Sequence, residues 1–206
     1  MNKKLLAVAI AAATAIPVAA TAANSVSVYG KAHVLLTKVD MDDVQDNWTL
    51  SSTNSRLGFK GSEDLGGGLK AIWQYETTGH ITDGGSKGGT FGSARNAFLG
   101  LSGSFGTVLF GRHDTPAKVA WYAAGNDHLD GSIIDFNDLG FNADGGKLRT
   151  AFFADRRVDN AIAYISPSFS GFTVAAAIVP GEQSGMEGAD LDGIADHYSL
   201  GAMYKN

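Results

Sequence analysis

Residues 55–76 form two alternating runs around an acidic, glycine-rich turn, and this pattern limits the fold more than any other feature of the chain. Apolar Leu57 and Phe59 alternate with charged Arg56 and Lys60 in the first run. Because side chains alternate between the two faces of a strand, the run has one apolar and one charged face. Each run has about the length of a tilted strand that crosses a bilayer. The segment predicts a β-hairpin in a barrel wall between lipid and water.

The N-terminus predicts a secretory signal peptide over residues 1–22. Lys3 and Lys4 precede an apolar run over 5–15, and small residues follow at 20–23. No later stretch approaches the roughly 20 apolar residues that a membrane-spanning helix requires. We therefore expect residues 23–206 to leave the cytoplasm without a helical anchor.

The composition excludes several classes of protein. Removal of residues 1–22 takes away two lysines and no acid, so 16 basic residues become 14 against 21 acidic ones, a balance of −7. This charge disfavours binding to nucleic acid. The chain has no cysteine, which rules out disulfide frameworks and thiolate metal sites. Its 27 glycines with only 4 prolines indicate many tight turns.

Six further strands are predicted outside the hairpin, because apolar residues recur at every second position. They cover residues 26–37, 95–102, 107–112, 157–165, 172–179 and 197–204. The total is eight strands, with the second strand starting near Thr49. Tyrosine and tryptophan side chains on the outward faces predict an interfacial girdle: Trp73, Tyr75, Tyr164, Tyr198 and Tyr204.

Short and long connections alternate along the chain. Short turns lie near Asp64, Ser104 and Pro167, and the long connections cover 39–47, 78–91, about 40 residues from His113, and 180–196. Such segregation is typical of a membrane barrel with one rim on each side of the membrane. The sequence therefore predicts an all-β fold, an antiparallel transmembrane β-barrel.

Several motifs occur in order along the mature segment: Val28-Tyr29-Gly30-Lys31-Ala32, Ser55-Arg56-Leu57-Gly58-Phe59-Lys60-Gly61, Glu63-Asp64-Leu65-Gly66-Gly67-Gly68-Leu69-Lys70-Ala71, Arg95-Asn96-Ala97-Phe98-Leu99-Gly100-Leu101, Phe105-Gly106-Thr107-Val108, Gly111-Arg112, Asp114-Thr115-Pro116 and Ser166-Pro167-Ser168-Phe169-Ser170-Gly171. Together they resemble the Gram-negative trimeric general porins, which act as diffusion pores.

The resemblance implies a barrel of about sixteen strands, of which residues 23–206 supply the N-terminal half. It further implies a location in the outer membrane, assembly into a homotrimer, and passive diffusion of ions and small hydrophilic solutes. The loop at 78–91 would latch onto a neighbouring subunit, and the long loop after the fifth strand would fold inward. We expect neither a cofactor nor a metal, and no enzymatic activity. Eight strands left open in lipid should not conduct alone, because unmet backbone groups there cost several kcal/mol each.

The resemblance also implies a constriction in which acids of the inward loop face a ladder of bases on the wall. The ladder residues are Lys31, Arg56, Arg95 and Arg157, with Lys60 as a weaker member and Arg156 as a competitor for the last position. The loop acids are Asp130, Asp135 and Asp138, and Asp127 and Asp144 lie in the same loop. The sequence leaves open which acids point into the pore.

Two other classes of protein stay open at this stage. One is a secreted or surface β-sheet protein that adheres or binds through its outer loops, without channel activity. The other is a small eight-stranded barrel enzyme or anchor, although no Ser/His/Asp arrangement is apparent. His113, Asp114 and His128 form a weak candidate for a metal site.

Overall fold

The computed structural model describes residues 25–41, 45–83, 89–125, 156–180 and 193–205. The predicted signal peptide and the acids of the long loop lie outside these ranges. The described elements are β1 (Ser25–Lys31), β2 (Val34–Met41), β3 (Gln45–Ser52), β4 (Arg56–Gly66), β5 (Leu69–Gly79), β6 (Phe91–Gly103), β7 (Gly106–Asp114), α1 (Pro116–Ala123), β8 (Arg157–Ile165), β9 (Phe172–Val179) and β10 (His197–Tyr204). Among the described residues, no helix combines the length and the apolar character that a membrane crossing requires.

Eight of the strands form one antiparallel sheet in the order β1-β4-β5-β6-β7-β8-β9-β10, and β2 pairs with β3 in a separate ladder. Short turns join β4 to β5, β6 to β7 and β8 to β9 at one end of the sheet. The longer connections all lie at the opposite end. This topology confirms the predicted antiparallel, all-β architecture.

The pairing register gives the sheet two chemically different faces. One register line on the outer face is apolar along almost its whole length: Val26, Gly61, Trp73, Leu99, Phe110, Ile162, Ile178 and Tyr198. The line beside it lies on the inner face, where small and polar residues alternate with a few apolar ones: Ser25, Ser62, Ile72, Gly100, Leu109, Ala163, Ala177 and Ser199. The two-residue period of the sequence thus separates the faces across the sheet.

The strands have the length of a membrane wall. β4 and β5 contain 11 residues each, which corresponds to about 36 Å along the strand at ~3.3 Å per residue. At a tilt of about 40° such a strand rises about 28 Å, slightly more than the ~25 Å apolar band of membrane barrels.

Aromatic side chains gather on the outer face at the short-turn end. The hydroxyl of Tyr164 donates to the backbone oxygen of Phe105 at 2.7 Å, and the rings of Phe172 and Tyr204 lie 4.6 Å apart. Amphipathic rings at this height are typical of an aromatic girdle at a membrane interface. The tyrosines predicted to face outward are exposed on this face: Tyr75, Tyr164, Tyr198 and Tyr204.

One sequence prediction was wrong: the first strand is not continuous over 26–37, and residues 39–47 are not all loop. β1 ends at Lys31, opposite Arg56, and β2 resumes at Val34, opposite Ser52. Residues 32–33 therefore lie opposite residues 53–55, so one strand has an extra residue, as in a β-bulge. Asn54, within the longer segment, adopts φ 54°. The buried Ser55 hydroxyl accepts from the backbone N–H of His33 and donates to its carbonyl oxygen, both at 2.9 Å.

A second correction concerns the start of the long connection after β7, where the structure has a helix instead of irregular chain. Thr115 caps α1, since its side-chain oxygen accepts from the backbone N–H of Lys118, and Pro116 follows in the first turn. The helix packs against β10 on the inner face, where the N–H of Ala117 donates to the hydroxyl of Ser199 at 3.2 Å. The described beginning of the long loop thus folds inward, as the resemblance implied.

Candidate pore-lining site

The four predicted bases lie along one side of the sheet or at its long-loop end. Lys31 and Arg56 are direct cross-strand partners on the inner face. Arg95 reaches the same face through an irregularity in β6, and Arg157 starts β8 beside the end of β7. The predicted acids Asp130, Asp135 and Asp138 lie outside the described residues, so their facing positions stay predictions.

A β-bulge brings Arg95 onto the inner face. Tyr75 pairs with Ala97 and Thr77 pairs with Ala94, so one residue of β5 opposes two residues of β6. Strict alternation would send Arg95 and Asn96 to opposite faces, whereas the bulge lets both side chains reach inner-face partners. The bulge therefore re-aims a charged side chain at the site, a use that bulges commonly have.

Glu76 links its own strand, β5, to β1 and β6 through its two carboxylate oxygens. Nε of Arg95 donates to one oxygen at 2.5 Å, and the hydroxyl of Tyr29 donates to the other at 2.8 Å. Nε2 of Gln74 in turn donates to the Tyr29 oxygen at 2.5 Å. The two hydrogen bonds to the Glu76 carboxylate are charge-assisted, and such bonds contribute roughly 1.5–3 kcal/mol each. We call Tyr29, Gln74, Glu76 and Arg95 the wall network.

Gly58 makes room for the Tyr29 ring in the wall network. A methyl group at position 58 would lie 2.3 Å from Cζ of Tyr29, closer than real contacts allow. The ring thus lies flat across the neighbouring strand, and Nζ of Lys60 stands 5.4 Å from its centroid. This cation–π contact holds the Lys60 charge at the inner face.

A second cluster ties α1 to the sheet. One carboxylate oxygen of Asp114 lies 3.2 Å from Nζ of Lys118 and 2.9 Å from Nη2 of Arg157. The other oxygen accepts from Nδ2 of Asn96 at 3.0 Å, while Oδ1 of Asn96 accepts from the Asp114 backbone and from Nε of Arg157. We call Asn96, Asp114, Lys118 and Arg157 the anchor cluster.

α1 is also held in place where the backbone at its start lies close to the backbone of the sheet. The N–H of Thr115 donates to the carbonyl oxygen of Arg156 at 3.0 Å, just before the anchor cluster. A methyl group at position 201 would lie 2.4 Å from the carbonyl oxygen of Pro116, so the glycine lets α1 rest directly on β10. The inner face therefore carries fixed charges on one side and a docked helix on the other.

Sequence reasoning proposed the four bases, whose role in a pore stays a prediction, but not the groups that contact them. The residues that it missed are Tyr29, Gln74, Glu76, Asn96, Asp114, Lys118 and Ser199. Alternation along residues 69–76 places Gln74 and Glu76 on the face opposite Trp73 and Tyr75, which is a usable signal. The predicted metal candidate around His113 and Asp114 includes His128, which lies outside the described residues. Within the described ranges, no three metal-ligating side chains converge.

Comparison with known proteins agrees with this architecture. Residues 7–206 match the family described as Gram-negative porin. The chain belongs to the Gram-negative porin family. Among curated relatives, a major outer membrane protein P.IB of Neisseria gonorrhoeae is 33% identical and is matched over 100% of this chain and 54% of its own length. Outer membrane porin protein 32 of Delftia acidovorans is 32% identical over 94% of this chain and 54% of its own length.

A solved structure of an anion-selective porin from Comamonas acidovorans is similar to this porin chain, with a TM-score of 0.61 and 26% identity. The similarity covers 89% of this chain and 54% of that one. The chain thus spans about half the length of the relatives that it matches. Family membership and the relatives' names confirm the predicted outer-membrane location.

Proposed function

We propose that the full-length porin is an outer-membrane pore through which ions and small hydrophilic solutes diffuse passively. The observation that carries this proposal is the division of one sheet into an apolar outer face and an inner face with fixed charges and the docked α1. An apolar face suits lipid, and a charged face suits a water-filled lumen. The assignment as a channel agrees with the family, and we infer that the protein is not an enzyme.

The proposed pore requires the full-length protein. Within the described sheet, β1 and β10 are edge strands, each paired on one side. Backbone groups that meet lipid without partners cost several kcal/mol each, so a membrane sheet has to close. The relatives are about twice as long as the aligned segment, which fits closure by further strands.

Selectivity in the proposed pore arises from fixed charges on the wall and not from a chemical reaction of the solute. Lys31, Arg56 and Lys60 present positive charge on the inner face, and the wall network holds Arg95 beside them. We propose that the acids of the long loop, Asp130, Asp135 and Asp138, face this ladder across water. Opposed charge rows set up a transverse field that biases the passage of ions and orients dipolar solutes.

Neutralising Glu76 tests the role of the wall network. Glu76→Gln in the full-length protein removes a negative charge beside Arg95, so the reversal potential under a salt gradient should shift toward anion selectivity. One charge about 8 Å from a passing ion in water changes its energy by roughly 0.5 kcal/mol, which changes the anion-to-cation permeability ratio about two- to fivefold. The matched control is Glu63→Gln, which removes the same charge near the short-turn end. Equal shifts in both variants would contradict this role.

Neutralising the loop acids tests the other half of the proposed constriction. Asp130→Asn with Asp135→Asn should shift the reversal potential toward anions, because two negative charges leave the narrowest part of the lumen. The salt dependence should be steep, since charges in water are screened over about 10 Å at 0.1 M. An unchanged reversal potential would contradict the assignment of these acids.

We further propose that the full-length protein assembles into a homotrimer, with the loop at 78–91 as a latch to the neighbouring subunit. Removal of residues 80–90, the part of this segment that lies between β5 and β6, should lower the temperature at which oligomers dissociate on gels, while the size of single pores stays constant. Oligomers of unchanged heat resistance would exclude the latch.

Proteoliposome swelling tests passive diffusion directly. Vesicles with the full-length protein should swell in uncharged sugars at rates that fall steadily with sugar size, without saturation. Saturable uptake of one sugar, or no uptake above that of empty vesicles, would rule out a general diffusion pore.

A further inference from the structure

The side chain of Tyr29 crosses β4 and reaches a carboxylate on β5. Tyr29 pairs with Gly58 on β4, and Gly58 pairs in turn with Glu76 on β5. The glycine leaves room for the ring, because a methyl group there would lie 2.3 Å from Cζ of Tyr29. The phenol hydroxyl then donates to Glu76 at 2.8 Å. The aromatic side chain thus lies across the inner face from the first strand of the sheet to the third.

The carboxylate of Glu76 is buried, although it belongs to the face that we assign to the lumen. Its side chain is 7% exposed, against 21% for that of its partner Arg95. Tyr29 and Arg95 each bind one of its oxygens, so both oxygens have a donor. Contact with further strands in the full-length protein could only lower this exposed fraction. The negative charge therefore lies behind an aromatic ring and a guanidinium group.

Tyr29 also contacts Lys60, which would otherwise be a natural partner for Glu76. Lys60 pairs with Gln74, two residues before Glu76, so the two charged side chains are diagonal neighbours on one face. Diagonal neighbours lie about 7–8 Å apart, within the reach of long side chains. Nζ of Lys60 instead stands 5.4 Å from the centroid of the Tyr29 ring, and within the described ranges it forms no ion pair with a carboxylate. The ring therefore contacts both charged groups and keeps them apart.

We propose that Tyr29, although uncharged, is a specificity-determining residue of the pore. Its ring covers the carboxylate of Glu76 and holds Lys60 away from it, so passing ions meet the base and not the acid. The proposal rests on the proposed function and adds a residue to it. The position of a charge matters as much as its sign, because Coulomb energy falls with distance and salt screens it within about 10 Å. Replacement of Tyr29 therefore changes selectivity without changing the fixed charge of the wall.

Reversal potentials of the full-length porin under a salt gradient test this role. Tyr29→Leu should lower the anion-to-cation permeability ratio about two- to threefold, because cations approach the uncovered carboxylate to about 5 Å instead of about 8 Å. Tyr29→Phe keeps the ring and loses only the hydroxyl, so its shift should be smaller. The matched control is Tyr75→Leu, the same substitution on the outer face at the neighbouring register position. The control should keep the wild-type ratio.

A second comparison tests whether Tyr29 acts through Glu76. In a protein that already carries Glu76→Gln, the further substitution Tyr29→Leu should leave the permeability ratio unchanged, because no carboxylate is uncovered. An equal shift with and without the carboxylate would mean that the ring acts through the width of the lumen, and this result would overturn the proposal. A wild-type ratio in Tyr29→Leu alone would overturn it as well.

Variants that keep the ring give a test that does not depend on the folding of Tyr29→Leu. Lys60→Gln and Glu76→Gln should change the logarithm of the permeability ratio additively, since the ring separates the two charges. A departure of about twofold or more from additivity in the double variant would show that the charges pair, and would overturn the proposal. A wild type that never conducts would refute the proposed pore together with this role. Conducting channels that fail these comparisons would refute this role alone.

Discussion

Asp114→Ala in the full-length porin is expected to lower the free energy of unfolding by about 3 kcal/mol, the cost of breaking a largely buried ion pair. One carboxylate oxygen of Asp114 serves both Lys118 and Arg157, and the other serves Asn96. The side chains of Asp114 and Arg157 are only 20% and 13% exposed. The variant therefore removes the carboxylate that Lys118 and Arg157 both contact, and it releases α1 from the sheet.

The matched control for Asp114→Ala is Asp159→Ala. Asp159 pairs with Arg112 at 2.6 Å, but its side chain is 54% exposed, and exposed pairs contribute at most about 1 kcal/mol. Urea unfolding in lipid vesicles measures both variants against the wild type. If the two losses are equal, Asp114 does not act as an anchor. The single-channel current of Asp114→Ala should also become noisier, because a released α1 moves within the lumen.

Gly201→Val is the second substitution with a large expected effect. The added side chain collides with the carbonyl oxygen of Pro116, which lies 2.4 Å from the position of the new Cβ. Overpacking of this kind typically costs about 1–3 kcal/mol, and β10 is held along its whole length by its backbone ladder with β9. We expect α1 to move away from β10 and the single-channel conductance to change from the wild-type value.

Ala202→Val serves as the control for Gly201→Val, since it adds bulk one residue further along the same strand on the exposed outer face. Its conductance and its unfolding free energy should match those of the wild type. Wild-type conductance and stability in Gly201→Val as well would mean that α1 does not rest on this strand in the assembled porin.

The strands and their faces could be predicted from the sequence because apolar and polar residues alternate along a strand that separates lipid from water. In each run of the segment 55–76 apolar residues alternate with mostly charged or small ones, so Leu57, Phe59 and Trp73 fall on one face whatever lies beside them. Turn signals near Asp64 then fix which strands are neighbours. Both inferences use only residues close together in the chain.

The departures from alternation could not be predicted in the same way. The sheet has several register irregularities, among them the bulges near Asn54 and at Arg95, and only the pairing with a neighbouring strand reveals them. α1 was missed because eight residues are too few for a clear helical period. Its cap, Thr115 followed by Pro116, was a local signal that could have identified it.

The contacts of the bases depend on strands that are distant in sequence. Arg157, which was predicted as a rung of the basic ladder, contacts Asp114 and Asn96 in the anchor cluster, and these partners are up to 61 residues away in sequence. Glu76 likewise meets Tyr29 across 47 residues. No local pattern encodes such pairs, because sheet order and the register irregularities decide which side chains meet.

The most direct test of the pore is the conductance of the full-length protein in planar lipid bilayers after extraction in detergent. The expected result is stepwise insertion of long-lived channels with a current proportional to voltage, and a reversal potential that Glu76→Gln shifts toward anions. A mature protein that dissolves without detergent and leaves the bilayer insulating would contradict the account.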